Sequence, residues 1–128
     1  MPILGSIIKG AIGIRSRIPA RKNIYRQQVK QLRKLLSKAQ FTDFGAQFGF
    51  SQMSLMDDPV KTFQQKVPVY DYQTIFDAWW HRTLKGERDV CWPGKIKYFA
   101  LSSGTSESSS KHIPVTRDLI KTIHKGTL

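Results

Sequence analysis

Tyr98-Phe99-Ala100-Leu101-Ser102-Ser103-Gly104-Thr105-Ser106-Glu107-Ser108-Ser109-Ser110-Lys111 is the stretch on which the fold turns. Ile96 to Leu101 carries the clearest strand signal in the chain, a run of β-formers with buried character. It delivers the backbone into a loop of hydroxyls around Gly104, with Lys111 at the far end. Lys111 to Val115 reads as a second extended segment. A glycine lets backbone amides approach an anion closely, hydroxyls donate to phosphate oxygens, and lysine adds a compact positive charge. The spacing excludes two common phosphate loops. A Walker A loop needs G-x-x-x-x-G-K-[ST], and a Rossmann fingerprint needs three spaced glycines; neither is present. On composition alone the same residues also suit a flexible serine-rich linker. A linker does not account for the apolar strand before it or for Lys-x-Ile-Pro after it.

Outward from the loop the pattern is helical. From Lys22 to Gln40, Tyr25, Val29, Leu32, Leu35, Leu36 and Ala39 fall on one face. Arg26, Lys30, Arg33, Lys34 and Lys38 lie on or near the other face. Phe41 to Phe50 reads as a turn-rich connector, punctuated by Gly45 and Gly49 and pinned by phenylalanines. Asp58-Pro59 is a helix start, an N-cap followed by proline at the first helical position. That helix is short because Pro68 follows. Val67 to Tyr70 is extended, and Asp71 caps a further helix on which Ile75, Phe76, Trp79 and Trp80 bury together until Gly86 ends it. Pro93-Gly94 makes a turn, and Thr116 caps a last helix with Leu119, Ile120 and Ile123 on its apolar side.

The 128 residues carry 21 Lys+Arg against 9 Asp+Glu, a formal charge of +12. The excess is uneven. Asp43 is the first acid, and Lys9, Arg15, Arg17, Arg21, Lys22, Arg26, Lys30, Arg33, Lys34 and Lys38 all precede it. Such a field attracts polyanions: nucleic acid, acidic lipid or nucleotide phosphate. The lone Cys91 excludes an internal disulfide framework, suits a reducing, cytoplasmic compartment, and reads as an inert thiol beside Trp92. Cys91 and the scattered His81, His112 and His124 match no standard metal-ligand spacing. The apolar run from Pro2 to Ile14 is broken by Lys9 and is too short to span a bilayer. Ile3, Leu4, Ile7, Ile8, Ala11 and Ile12 make a stripe suited to packing against the protein, with a membrane-surface anchor as the sharper alternative.

Ser102-Ser103-Gly104-Thr105-Ser106, then Lys111 and Ile113-Pro114, resembles the phosphate-binding motif of the adenylate-forming superfamily, which includes firefly luciferase and acyl-CoA synthetases. Within it, the chain resembles the auxin-responsive acyl-acid amido synthetases and their bacterial relatives over nearly its whole length. Leu35-Leu36, Ala39, Thr42-Asp43-Phe44-Gly45 and Phe48-Gly49-Phe50 are similar to the family's N-terminal helix and following turn. Val67-Pro68-Val69-Tyr70-Asp71-Tyr72 is similar to its Val-Pro-Val segment, and Gly86-Glu87 with Trp92-Pro93-Gly94 to its approach to the phosphate loop. The chain departs from the pattern at Ser108, where many members have glycine, and at Ser109 and Ser110, where many have a basic residue or proline.

The resemblance implies an α/β fold: the N-terminal part of the large adenylate-forming domain, mostly helical here, with a short strand pair around the phosphate loop. It divides the chain into an amphipathic segment 1–21, a helical part 22–95, a strand–loop–strand 96–116 and the start of a helix 117–128. It implies ATP-dependent activation of a carboxylic acid as acyl-adenylate, then amide formation with an amine or amino acid. Ser102, Ser103, Gly104, Thr105, Ser106 and Lys111 would bind the nucleotide phosphates, Mg2+ would bridge their oxygens, and the catalytic residues would lie beyond Leu128. The 128 residues by themselves are then expected to lack ligase activity and to expose apolar faces. The alternative is a small basic module binding nucleic acid through the Lys22 to Lys38 face, although no base-reading motif accompanies it.

Overall fold

The computed structural model describes residues 20–102 and 110–126, so the expectations for Pro2 to Ile14 lie outside the described residues. A long helix α1 (Ala20–Ala39) organises the rest. It contains no glycine or proline, and its apolar positions recur one turn apart. Only the C-terminal part of its stripe is used. Leu36 and Ala39 are fully buried and Leu32 packs against them, whereas Tyr25 and Leu35 stay largely exposed. Among the described residues, other elements reach only that half of the helix. Arg33 turns away from solvent and donates to the carbonyls of Ser54 and Asp57, at 2.5 and 3.2 Å.

The expected connector after α1 is helical. Two short helices, α2 (Asp43–Phe48) and α3 (Phe50–Met53), are hinged at Gly49, whose φ of +69° closes one and opens the next. Thr42 shows why. Its buried hydroxyl donates to Ala39 O at 2.7 Å and accepts from Gly45 N at 3.0 Å, so one side chain ends α1 and caps α2. The next two amides, Asp43 and Phe44, donate to the carbonyls of Asp89 and Val90, both at 2.9 Å. All the first-turn amides therefore find acceptors, and the far turn at residues 89–90 is docked to the helix start.

Helix α4 (Pro59–Lys66) begins as expected, with the Asp58 carboxylate accepting from Lys61 N and Pro59 at its first turn. Asp71 then caps α5 (Tyr72–Ile75) in a capping box with Thr74. The chain continues through a π-helical turn (Phe76–Trp80) into α6 (His81–Leu84). At the π turn the His81 amide donates to Phe76 O, five residues back. The two tryptophans do not bury together as expected: neither is fully buried, and as neighbours on a helical turn they face different sides. Trp79 joins Phe44, Phe48 and Tyr70, while Trp80 lies edge-on to Tyr72. Gly86, at φ +86°, ends the helical run as expected.

Strands β1 (Tyr98–Ser102) and β2 (Lys111–Val115) form an antiparallel pair, with Tyr98 opposite Val115 and Ser102 opposite Lys111. Helix α7 (Arg117–Gly126) follows, its start capped by the Thr116 hydroxyl on Leu119 N at 3.1 Å. The sheet differs from expectation in burial: Leu101 is 64% exposed and Tyr98 56%. Leu119 and Ile123 of α7 are likewise open. The core lies elsewhere, where Leu36, Ala39, Phe50 and Met53 gather Phe44, Phe48, Phe63, Val67 and Trp92. Among the described residues the fold is mostly helical, with one short strand pair on either side of residues 103–109.

Candidate phosphate-binding site

The hairpin brings the two ends of the serine-rich stretch together. Ser102, half-buried at the end of β1, is the register partner of Lys111 at the start of β2. Ser103, Gly104, Thr105 and Ser106 lie outside the described residues. The hairpin fixes where that stretch leaves and re-enters the fold: one strand apart, above the start of α5.

Tyr72 carries the attachment. Its hydroxyl accepts from His112 N at 2.9 Å and lies 3.4 Å from His112 O, so the outer edge of β2 is tied to the first residue of α5. Its ring stacks on Phe76, with centroids 5.6 Å apart. The Lys111 ammonium stands 5.3 Å from the same ring's centroid, a cation–π distance. Beside it, the Asp71 carboxyl is held below the usual carboxylate range, first by the Thr74 amide, then by the Thr74 hydroxyl, with a smaller contribution from Lys111. Sequence reading passed over Tyr72 because nothing in its local pattern points forty residues ahead to β2.

Removing only the hydroxyl tests this attachment. In Tyr72→Phe the half-buried His112 amide loses its acceptor, a cost of about 1 kcal/mol. Its hydrogen-exchange protection should fall roughly fivefold or more, since every 1.4 kcal/mol is tenfold. Unchanged protection would show that the hairpin is held by something else.

The other anchor of this region is the 89–94 turn. Asp89 adopts φ +54°, and its carboxylate accepts from Gly94 N at 2.6 Å while its amide donates to Gly94 O at 3.0 Å. Trp92 donates its indole N–H to Asp118 at 3.1 Å, and Lys38 pairs with the same carboxylate at 2.6 Å while lying 5.6 Å from the Trp92 ring centroid. One carboxylate thus joins α1, the turn and α7. Arg82 bonds both Asp43 and Glu87, joining α6 to the start of α2.

Cys91, expected as a buried thiol, is half-buried. Burial raises its thiol from 9.0 to about 11, because desolvation disfavours the thiolate. The native form holds the thiol proton more tightly than the unfolded chain. Cys91 therefore costs no stability below pH 9, and its contribution is lost as pH rises from 9 through about 11. Denaturation midpoints at pH 8 and pH 10.5 should fall further for the parent than for Cys91→Ala. An equal fall would contradict the burial argument.

Among the described residues no three His, Cys, Asp or Glu converge on a metal position. No helix among them is long and apolar enough to cross a membrane. Of the basic face on α1, Arg33 is committed to backbone carbonyls and Lys38 to Asp118. That leaves a shorter cationic strip than the sequence suggests.

No curated protein and no solved structure shows a significant match to the chain. A family model, the GH3 family N-terminal domain, matches residues 18–127. That span includes every helix from α1 to α7, the strand pair and the stretch between them, and so the chain belongs to the GH3 family, the auxin-responsive acyl-acid amido synthetases of the adenylate-forming superfamily.

Proposed function

We propose that this chain forms the N-terminal part of the adenylate-forming domain of an ATP-dependent synthetase. The enzyme activates a carboxylic acid as its acyl-adenylate and transfers the acyl group to an amine or amino acid. The observation that carries this reading is the family match over residues 18–127, together with a hairpin that sets Ser102 against Lys111.

In the proposed reaction the acid's carboxylate oxygen attacks the α-phosphorus of ATP and pyrophosphate leaves. The amine then displaces AMP from the acyl carbon, giving an amide. Negative charge builds on the departing pyrophosphate, and hydrogen-bond donors fixed around it lower the barrier. Hydroxyls of Ser102, Ser103, Thr105 and Ser106 and the amide at Gly104 are assigned that role. Lys111, tethered through β2 to Tyr72, is assigned to the triphosphate's outer charge. The donor set is hydroxyls and one ammonium, which suits phosphate oxygens rather than a metal ion. Mg2+ would therefore be held by the nucleotide itself, where it neutralises the triphosphate and helps pyrophosphate depart.

The open apolar side chains of the hairpin and α7, Leu101, Tyr98, Leu119 and Ile123, fit a piece that packs against more of a larger domain. The acid and amine pockets are assigned to that remainder, in a cytoplasmic enzyme. A nucleic-acid module is not favoured by the family match.

Mass spectrometry of reactions of the natural polypeptide with ATP, Mg2+ and panels of acids and amino acids checks the reaction class. An acyl-amide accompanied by AMP and pyrophosphate is expected. ADP and phosphate as the nucleotide products would rule the reading out.

A further inference from the structure

Cations gather at a place well away from the serine-rich stretch. A cavity of about 400 Å3 lies at the other end of the hairpin, lined by Arg88, Lys95, Lys97, Arg117, Lys121 and Asp118 around a wall that includes Trp92 and Ile96. The cations come from three stretches of chain: the turn after α6, the run entering β1, and the first turns of α7. Arg117 and Lys121 are four residues apart on α7, so their side chains stand one turn apart on one face. Arg88 and Lys95 are brought opposite each other by a backbone bridge.

These groups are not equivalent. Lys95 runs along Gly86, its Nζ 3.3 Å from where a Cβ there would stand, so it forms part of the wall. Asp118 serves Lys38 and Trp92 and also feels the charge of Lys121, so it offsets part of the positive charge and leaves the cavity lining with a cationic excess. Arg88, Lys97, Arg117 and Lys121 form no ion pair among the described residues. Cations on a convex face spread into water. Here they border one hollow, where low-dielectric walls focus their field and raise the local concentration of anions. The volume falls within the range of small-molecule sites.

We propose that this cavity is an anion site, distinct from the phosphate loop, which takes a compact polyphosphate: pyrophosphate or the phosphate tail of an organic phosphate. The hairpin register separates the two. Tyr98 pairs with Val115 at the cavity and Ser102 with Lys111 at the loop. Four residue steps of about 3.4 Å place them roughly 14 Å apart. Arg88 and Arg117 offer planar forks that grip phosphate oxygens bidentately, and Lys97 and Lys121 add point charges.

Calorimetric titration of the natural polypeptide with pyrophosphate at about 0.15 M salt, where exposed charges are screened beyond about 8 Å, is the test. Arg117→Gln combined with Lys121→Gln should weaken binding at least tenfold, with the melting temperature kept because both side chains are exposed. Lys111→Ala and Gly104→Val should leave that binding event in place, whatever they do to activity. The control pair Arg26→Gln and Lys30→Gln, on the exposed face of α1, should change affinity little. In the Gly104→Val background, tighter binding of ATP than of pyrophosphate identifies an organic phosphate, and equal binding identifies the phosphates alone; either result upholds the site. The proposal falls if the wild type does not bind pyrophosphate, if binding disappears in Lys111→Ala, or if the control pair weakens it as much as the cavity pair.

Discussion

Replacing Gly104 by valine is expected to lower acid-dependent ATP–pyrophosphate exchange by the natural polypeptide at least about 100-fold, because losing one fixed oxyanion donor alone costs about 10²–10³ in rate. Two side chains bracket the segment: Ser102 and Lys111 sit opposite each other across the hairpin, and their backbones are set by ladder hydrogen bonds and by Tyr72. Between them stand five serines, one threonine, one glycine and Glu107. A phosphate oxygen must come within about 3 Å of a backbone amide to be held. A β-branched side chain at Gly104 would crowd that approach and remove donors at the point where charge develops. The melting temperature should stay within a degree or two, because the core gathers around Leu36, Ala39, Phe50 and Met53. Exchange within a few-fold of the parent would remove Gly104 from the site.

Gly45→Ala should destabilise the fold by at least about 2 kcal/mol, the range for forcing atoms into a packed site. Propensity alone gives the opposite sign, since alanine is favoured over glycine in a helix interior by about 1 kcal/mol. The structure decides between them. A Cβ on Gly45 would stand 2.0 Å from Ala39 O and 2.8 Å from its carbonyl carbon. That carbonyl is not free to move, because it also accepts from Thr42 N and from the Thr42 hydroxyl. The end of α1 and the start of α2 would have to part. The same movement would pull Asp43 and Phe44 from their bonds to Asp89 and Val90. Urea denaturation measures the change, and a variant as stable as the parent would show that the junction yields cheaply.

Much of this architecture is legible in the sequence, for reasons that are local. Asp58-Pro59, Asp71 with Thr74, and Thr116 with Leu119 are cap signals that act within one helical turn, and each cap is present. The strand pair follows from β-formers on either side of a polar stretch, and its register sets Ser102 against Lys111. What the sequence hides is non-local. The Thr42–Gly45 junction turned an expected connector into two helices, because Thr42 could use Ala39 O and the 89–90 carbonyls could take the next amides. Leu101 and Tyr98 have the residue types of a buried strand, yet nothing among the described residues covers them. The π turn at Phe76–Trp80 and the reach of Tyr72 to His112 depend on partners distant in the chain, which periodicity does not register. Of the six proposed phosphate-binding residues, the hairpin locates Ser102 and Lys111; Ser103, Gly104, Thr105 and Ser106 lie outside the described residues.

The most direct measurement is incorporation of labelled pyrophosphate into ATP by the natural polypeptide, with Mg2+ and each of a panel of carboxylic acids. Exchange should depend on adding an acid, because pyrophosphate can re-form ATP only from an acyl-adenylate held at the site. A folded protein that shows no exchange with any acid, at saturating ATP, would contradict the proposed adenylation.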